Sequence, residues 1–258
     1  MVFRTKNLIF TPSKNKTMTL QKISFFLFVG LLLWSCQPNS KPLDSTKMNV
    51  IGRVEGLRKG TLYLQKVEDT LLVTVDSTVI AGNPQFQFST ALESPEVFYL
   101  YLNKEDGDSL NDRIPFFGEK GTIEINTLLK TFESSAQIKG SKNQELLQNF
   151  LRLKRQFNDK NLSLLEAYFK AQQRNNQKQI DSLQTAIDNL LKRRYLYTLN
   201  FAAQNADQNV APYLLLTEVY DANLTLLDSV AVKMSSSVRN SKYGQELLTY
   251  IAKRKETN

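Results

Sequence analysis

Histidine is absent from the 258 residues, and cysteine occurs once, at Cys36. Imidazole-based triads and imidazole metal sites therefore lack their essential residue, and Cys-x-x-Cys redox centres and intrachain disulfides lack a second thiol. No catalytic, cofactor-binding or metal-ligating residue is nominated, and the expectation is a protein that is not an enzyme and holds no cofactor. Glycine and proline are missing from Ser141 to Ala211, a stretch of 71 residues. What is present is ordinary for a folded chain: 41% hydrophobic and 22% charged residues exclude wholesale disorder, collagen-like repeats and a polytopic membrane protein.

The formal charge of +8 points first to a polyanion, but its distribution removes that reading. Residues 1–35 hold five of the 33 basic residues and none of the 25 acids, so the rest of the chain carries 28 against 25, a net of +3. The short clusters Lys154-Arg155, Lys192-Arg193-Arg194 and Lys253-Arg254-Lys255 read as solvated helix faces or helix ends, and no groove-reading motif accompanies them. No nucleic-acid partner is expected.

Basic residues precede the run Ile23 to Leu33, eleven residues of which only Ser24 is polar. That length suits an export signal and falls short of a bilayer span. The following Leu33-Trp34-Ser35-Cys36 resembles the bacterial lipobox, with an aliphatic residue three before the cysteine and a small one just before it. The resemblance implies lipidation of Cys36, cleavage before it and a membrane-anchored product. Two or three acyl chains anchor stably where one binds reversibly. The signal is complete from Met18, so the true start is either Met1 or Met18. Gln37 to Thr46, polar with two prolines, reads as a tether, giving signal peptide 1–35 and tether 36–47.

From Met48 to Gly140 the chain carries eight of its ten glycines, and short apolar stretches alternate between turn signals. Val50, Ile51 and Val54, then Leu62 and Leu64, Leu71 to Ile80, Phe86 and Phe88, Val97 to Leu102, Ile114 to Phe117, Ile123 and Ile125, and Ile138 supply seven or eight strands. The expectation over 48–140 is an antiparallel β-sandwich or barrel-like sheet. The aromatics Phe86, Phe88, Phe98, Tyr99, Tyr101, Phe116 and Phe117 are assigned to a core rather than to a carbohydrate platform. The acidic segment Glu105 to Asp112 lacks the ligand spacing of a calcium loop, because Leu110 stands where an oxygen ligand belongs, and reads as a solvated hairpin tip.

After Gly140 the composition shifts abruptly and a helical segment, 141–258, is expected. Ser141 caps a helix with Gln144 as its reciprocal partner, and Leu146, Phe150, Leu153 and Phe157 form one stripe. Ile180, Leu183, Ile187 and Leu190 form a second, separated by Gln172 to Gln179, where six of eight side chains are amides. This pattern predicts an antiparallel helical hairpin. Pro212 opens a further helix through Tyr220, and Tyr243 to Ile251 forms a last one. The fold class expected is α+β.

The ordered set Ile51-Gly52-x-Val54-x-Gly56-Leu57, Gly60-x-Leu62-Tyr63-Leu64, Val75-Asp76-Ser77, Phe86-x-Phe88, Pro95 before Tyr99-Leu100, Gly121-x-Ile123-x-Ile125 and Lys139-Gly140-Ser141-x-Asn143 resembles one module. It is the β-rich lipoprotein domain of unknown function 4369 of diderm bacteria, which usually precedes a TlpA/AhpC-type thioredoxin-like domain. In that family a segment like Tyr243 to Arg254 leads into the thioredoxin-like domain, whereas this sequence ends at Asn258 with no cysteine pair, so the family's redox activity transfers to none of its residues. The resemblance implies a lipid-anchored module on the periplasmic side or at the outer membrane that binds or scaffolds an envelope partner, with a thioredoxin-like protein as the candidate. Two alternatives stand beside it: a split or truncated thiol-disulfide oxidoreductase whose thioredoxin-like domain is a separate chain, and a glycan-binding β-domain.

Overall fold

The computed structural model of the protein describes residues 43–104 and 112–257. The export signal, Cys36 and most of the acidic segment, residues 105–111, lie outside the described residues.

Eight strands run in order: β1 (Met48–Glu55), β2 (Lys59–Glu68), β3 (Leu71–Ala81), β4 (Gln85–Thr90), β5 (Glu96–Asn103), β6 (Arg113–Gly118), β7 (Gly121–Leu128) and β8 (Gln137–Lys139). They form two four-stranded sheets, ordered β4-β1-β7-β8 and β3-β2-β5-β6. The alternation that marks them is the one a half-buried strand requires. On β7, Ile123, Ile125 and Thr127 point inward while Thr122, Glu124 and Asn126 face solvent. Inward residues of both sheets share one core: Val50, Phe86, Phe88, Ile123 and Ile125 from the first, and Leu62, Leu64, Leu100, Ile114 and Phe116 from the second. Each such large apolar side chain contributes on the order of 1.5–3 kcal/mol on burial.

Of the two closures expected, a sandwich or a barrel-like sheet, the two separate sheets make the sandwich, and the expected antiparallel pairing needs one correction. β1 pairs antiparallel with β4 but parallel with β7, Val50 lying beside Ile123 and Gly52 beside Ile125. A parallel neighbour needs a long crossover. The whole of β2 to β6 supplies it, a connection no local pattern announces. Gly52 is required by that pairing, since a Cβ there would lie 1.8 Å from the Ile125 carbonyl oxygen.

Six helices follow among the described residues: α1 (Lys142–Gln173), α2 (Gln177–Gln204), α3 (Val210–Glu218), α4 (Leu224–Ala231), α5 (Ser236–Arg239) and α6 (Lys242–Thr257). Ser141 caps α1, its Oγ accepting the Gln144 N–H at 3.1 Å. The reciprocal half of the expected capping box does not form, because the Gln144 side chain accepts the Phe117 N–H on β6 at 2.7 Å instead. The second cap is Glu119, which accepts the Lys142 N–H at 2.5 Å and complements the positive end of the helix.

The hairpin of α1 and α2 turns through Arg174, Asn175 and Asn176, with Asn175 in the left-handed region at φ 52°. Phe150 stacks on Tyr197 with ring centroids 5.4 Å apart and lies 5.5 Å from Phe201, and Phe157 lies 5.8 Å from Tyr197, so the aromatic contacts of the first stripe run to the second half of α2. α3 starts at Val210, two residues before Pro212, because the Val210 N–H is taken by the Asn143 side chain at 2.9 Å. α4 and α5 were not expected. Their signals are local caps, Asn223 accepting from the Thr225 N–H and Ser235 from the Val238 N–H, on helices of only eight and four residues. Leu199, Leu215, Val219, Leu227, Val230 and Leu247 are among the residues closing the helical core.

Strands and helices meet along a third apolar cluster. Val97 and Phe117, on the outer face of the second sheet, pack with Phe150, Val210 and Leu214, with Tyr99, Tyr213 and Tyr243 at its margin. No helix of the described residues is long and apolar enough to cross a membrane.

Candidate binding cleft

The start of α6 is fastened to the start of β5, and the fastening shapes a cleft of about 1050 Å³. Its walls are the end of β2 with the turn into β3 (Lys66 to Asp69), the β4–β5 connection (Ala91 to Ser94) and the first turn of α6. The Tyr243 hydroxyl accepts the Val97 N–H at 3.0 Å, and the Lys242 N–H is donated to Ser94 Oγ at 3.1 Å. Tyr243 also sits 5.2 Å from the Tyr213 ring and 6.1 Å from that of Phe117. Burial pushes both phenols up, Tyr213 to about 12.

At the floor of the cleft lies Glu96, 7% exposed. A carboxylate that buried needs charged partners. Lys242 Nζ stands 2.5 Å from one of its oxygens and Lys66 Nζ 3.5 Å from the other. Both ammonium groups are engaged further: Lys242 donates to the Val67 carbonyl at 2.9 Å, and Lys66 pairs with Glu68 at 2.9 Å. The hydrogen bond to Glu68, with the nearby charge of Glu96, raises the Lys66 amine above its ordinary value against the opposing effect of burial. With two lysines spent in this way, the five carboxylates of the lining, Glu68, Asp69, Glu93, Glu96 and Glu246, leave a surplus of negative charge. Partial burial raises the Glu246 carboxyl, opposed by Lys242 and reinforced by Glu96. The arrangement supplies hydrogen-bond acceptors and fixed charge, and no cluster of three metal-ligating side chains occurs among the described residues.

The sequence motifs disperse to structural duties. Phe86, Phe88, Phe98 and Phe116 fill the sandwich core, and Phe117 is buried under the helices. Tyr99 and Tyr101 are half-buried on the outer face of the second sheet, where Tyr101 stacks on Tyr63 at 5.8 Å and the Arg113 guanidinium lies 4.8 Å over the Tyr101 ring. Of the acidic segment only Asp112 is described, and it is buried and paired with Lys104 at 2.7 Å. Among the basic clusters, Lys154 pairs with Glu218 and Lys255 with Asp228, and Arg254 donates to the Tyr220 and Ala222 carbonyls. Cys36, the one predicted site residue, lies outside the described residues. The Glu96, Lys66 and Lys242 cluster had no signal in the sequence, because its members lie 30 and 146 positions apart.

Residues 48–147 match the family model of the domain of unknown function DUF4369, which takes in all eight strands and the first turns of α1. No curated protein matches the chain. A solved structure titled pT26-6p aligns over 84% of this chain and 43% of its own length at 15% identity, with a TM-score of 0.21, a value that carries no inference about fold or function.

Proposed function

For a chain whose residues 48–147 carry a DUF4369 domain, we propose the function of a lipid-anchored, non-catalytic binding or scaffolding module of the bacterial cell envelope. The observation that carries this reading is the order of residues at the N-terminus: basic residues, the short apolar run Ile23 to Leu33, the small Ser35, then Cys36. Lipidation at Cys36 consumes the only thiol as a thioether. With no second cysteine and no histidine, the chain has neither a resolving thiol nor an imidazole base, so thiol-disulfide exchange and imidazole-assisted hydrolysis are outside its chemistry. The acceptor-rich cleft around Glu96 is the place where such a module would take an envelope partner.

The test is mass spectrometry of the native N-terminus together with membrane fractionation. A mature chain beginning at acylated Cys36, released from the membrane fraction by Cys36→Ser, supports the reading. A mature N-terminus elsewhere, or membrane retention unchanged by Cys36→Ser, overturns it. Insulin-disulfide reduction by the purified chain should not exceed that of the Cys36→Ser variant. Activity that appears only on adding a thioredoxin-like protein would favour the split oxidoreductase.

A further inference from the structure

The α1–α2 hairpin segregates its charge. From Lys142 to Gln204 it carries 11 basic and five acidic residues, whereas the rest of the chain after residue 35 carries 17 and 20. Its inward direction is set by Phe150 and Phe157 on α1 and by Tyr197 and Phe201 on α2, which meet between the helices. One flank faces α3, to which Lys154 is joined by its pair with Glu218. At about 100° per residue, the opposite flank carries Gln156, Lys160 and Ser163 of α1 with Lys178, Asn189 and Arg193 of α2, and all six are exposed. Asp159, Glu166, Asp181 and Asp188 fall on the back of the hairpin, away from the aromatic seam, and Glu145, at the foot of the open flank, is paired with Lys142. Lys160, Lys178 and Arg193 have no carboxylate partner among the described residues. At 1.5 Å per residue Lys160 and Arg193 stand about 20 and about 24 Å from the turn on adjacent helices, so two cations lie side by side with no counter-charge.

We propose that this flank rests on the headgroups of an anionic lipid bilayer. Its composition selects the occupant. A protein interface draws on aromatic and other large apolar anchors and is poor in lysine, whereas this flank offers amides, a hydroxyl and cations, with Leu196 at its edge as the large exposed apolar group. A nucleic acid calls for stacking aromatics or a groove-reading element, and the flank has neither. A headgroup plane needs only cations presented on a flat platform, which two helices side by side provide. The inference rests on the membrane attachment proposed above, which holds the chain beside such a plane.

Vesicle sedimentation of residues 37–258 tests the flank without acyl chains, since Leu43–Asn258 forms one compact unit that contains all three apolar clusters. This chain should bind vesicles of phosphatidylglycerol and phosphatidylcholine in equal parts, leave them as salt is raised to about 0.5 M, and not bind phosphatidylcholine alone. Each cation near an anionic surface contributes about fivefold in affinity, so Lys160→Glu with Arg193→Glu should weaken binding about tenfold or more. Arg155→Glu with Lys192→Glu, on the back of the hairpin, makes the same change in net charge and should leave binding within about threefold. All four positions are exposed, so the circular dichroism spectrum should not change in either variant. Equal binding to phosphatidylcholine, no binding to the anionic vesicles, or an equal loss in the two double variants would each overturn the proposal. Binding to heparin but to no vesicle would overturn it in favour of a soluble polyanion. A native N-terminus other than acylated Cys36, beside vesicle binding that depends on Lys160 and Arg193, would overturn the anchor and leave the flank standing.

Discussion

Asn143 does more than its exposed-looking residue type suggests. It is 3% exposed, its Nδ2 donates to Glu119 at 2.5 Å, and its Oδ1 accepts the Val210 N–H at 2.9 Å, so one side chain joins the β6–β7 turn, α1 and α3. Asn143→Ala leaves a buried N–H without a partner and is expected to cost about 1–3 kcal/mol, read as a lower denaturant midpoint at unchanged slope. Tyr213 makes a prediction about pH. Its phenol ionises near its ordinary 10.0 in the unfolded chain and at about 12 in the folded one, because burial disfavours the phenolate. Between those values the folded chain keeps a proton that the unfolded chain releases, so stability falls as pH rises from 10 towards 12. Tyr243, raised for the same reason, adds to the slope. Tyr213→Phe should flatten the alkaline decline in thermal midpoint, and a decline equally steep in the variant would contradict the assignment.

At the scale of elements, Gly52 and Gly140 are among the glycines that hold close approaches. Gly52 lets β1 lie against β7, and Gly140, at φ +91°, would place a Cβ 2.1 Å from the Thr122 carbonyl oxygen. Gly52→Ala should therefore destabilise by about 1–3 kcal/mol or more through overpacking and a displaced ladder, measured by chemical denaturation. The α1–α2 hairpin shows the other side of element-level reading. Its existence was legible in the glycine-free, proline-free stretch and in the amide-rich turn. Its pairing was not, because periodicity reports which face of a helix is apolar and is silent on which residues of the neighbour cover it. The aromatic contacts of Phe150 with Tyr197 and Phe201 supply that register.

Over the whole molecule, the sandwich and the helices share the cluster of Val97, Phe117, Phe150, Val210 and Leu214. A chain cut after Gly140 should keep a strand-dominated far-ultraviolet spectrum but expose Val97 and Phe117 and lose the partners of both their N–H groups, Tyr243 and Gln144. Increased dye binding and self-association on gel filtration are the expected readings, and a mainly helical spectrum would contradict the division of the chain. The sequence alone determined the succession of strands and then helices, the burial of Phe86, Phe88, Phe98, Phe116 and Phe117 though not of Tyr99 and Tyr101, which the sequence assigns to the core and which lie half-buried on the outer face, the capping of α1 by Ser141 and the exclusion of imidazole and dithiol chemistry, because each rests on residue type or on spacing within a few positions. Tertiary structure decided the parallel pairing of β1 with β7, the diversion of Gln144 from its cap to β6 and the gathering of Lys66, Glu96 and Lys242 around one cleft. These contacts join residues 27 to 146 positions apart, or strands separated by five others, and local periodicity carries no record of which distant segment folding brings alongside.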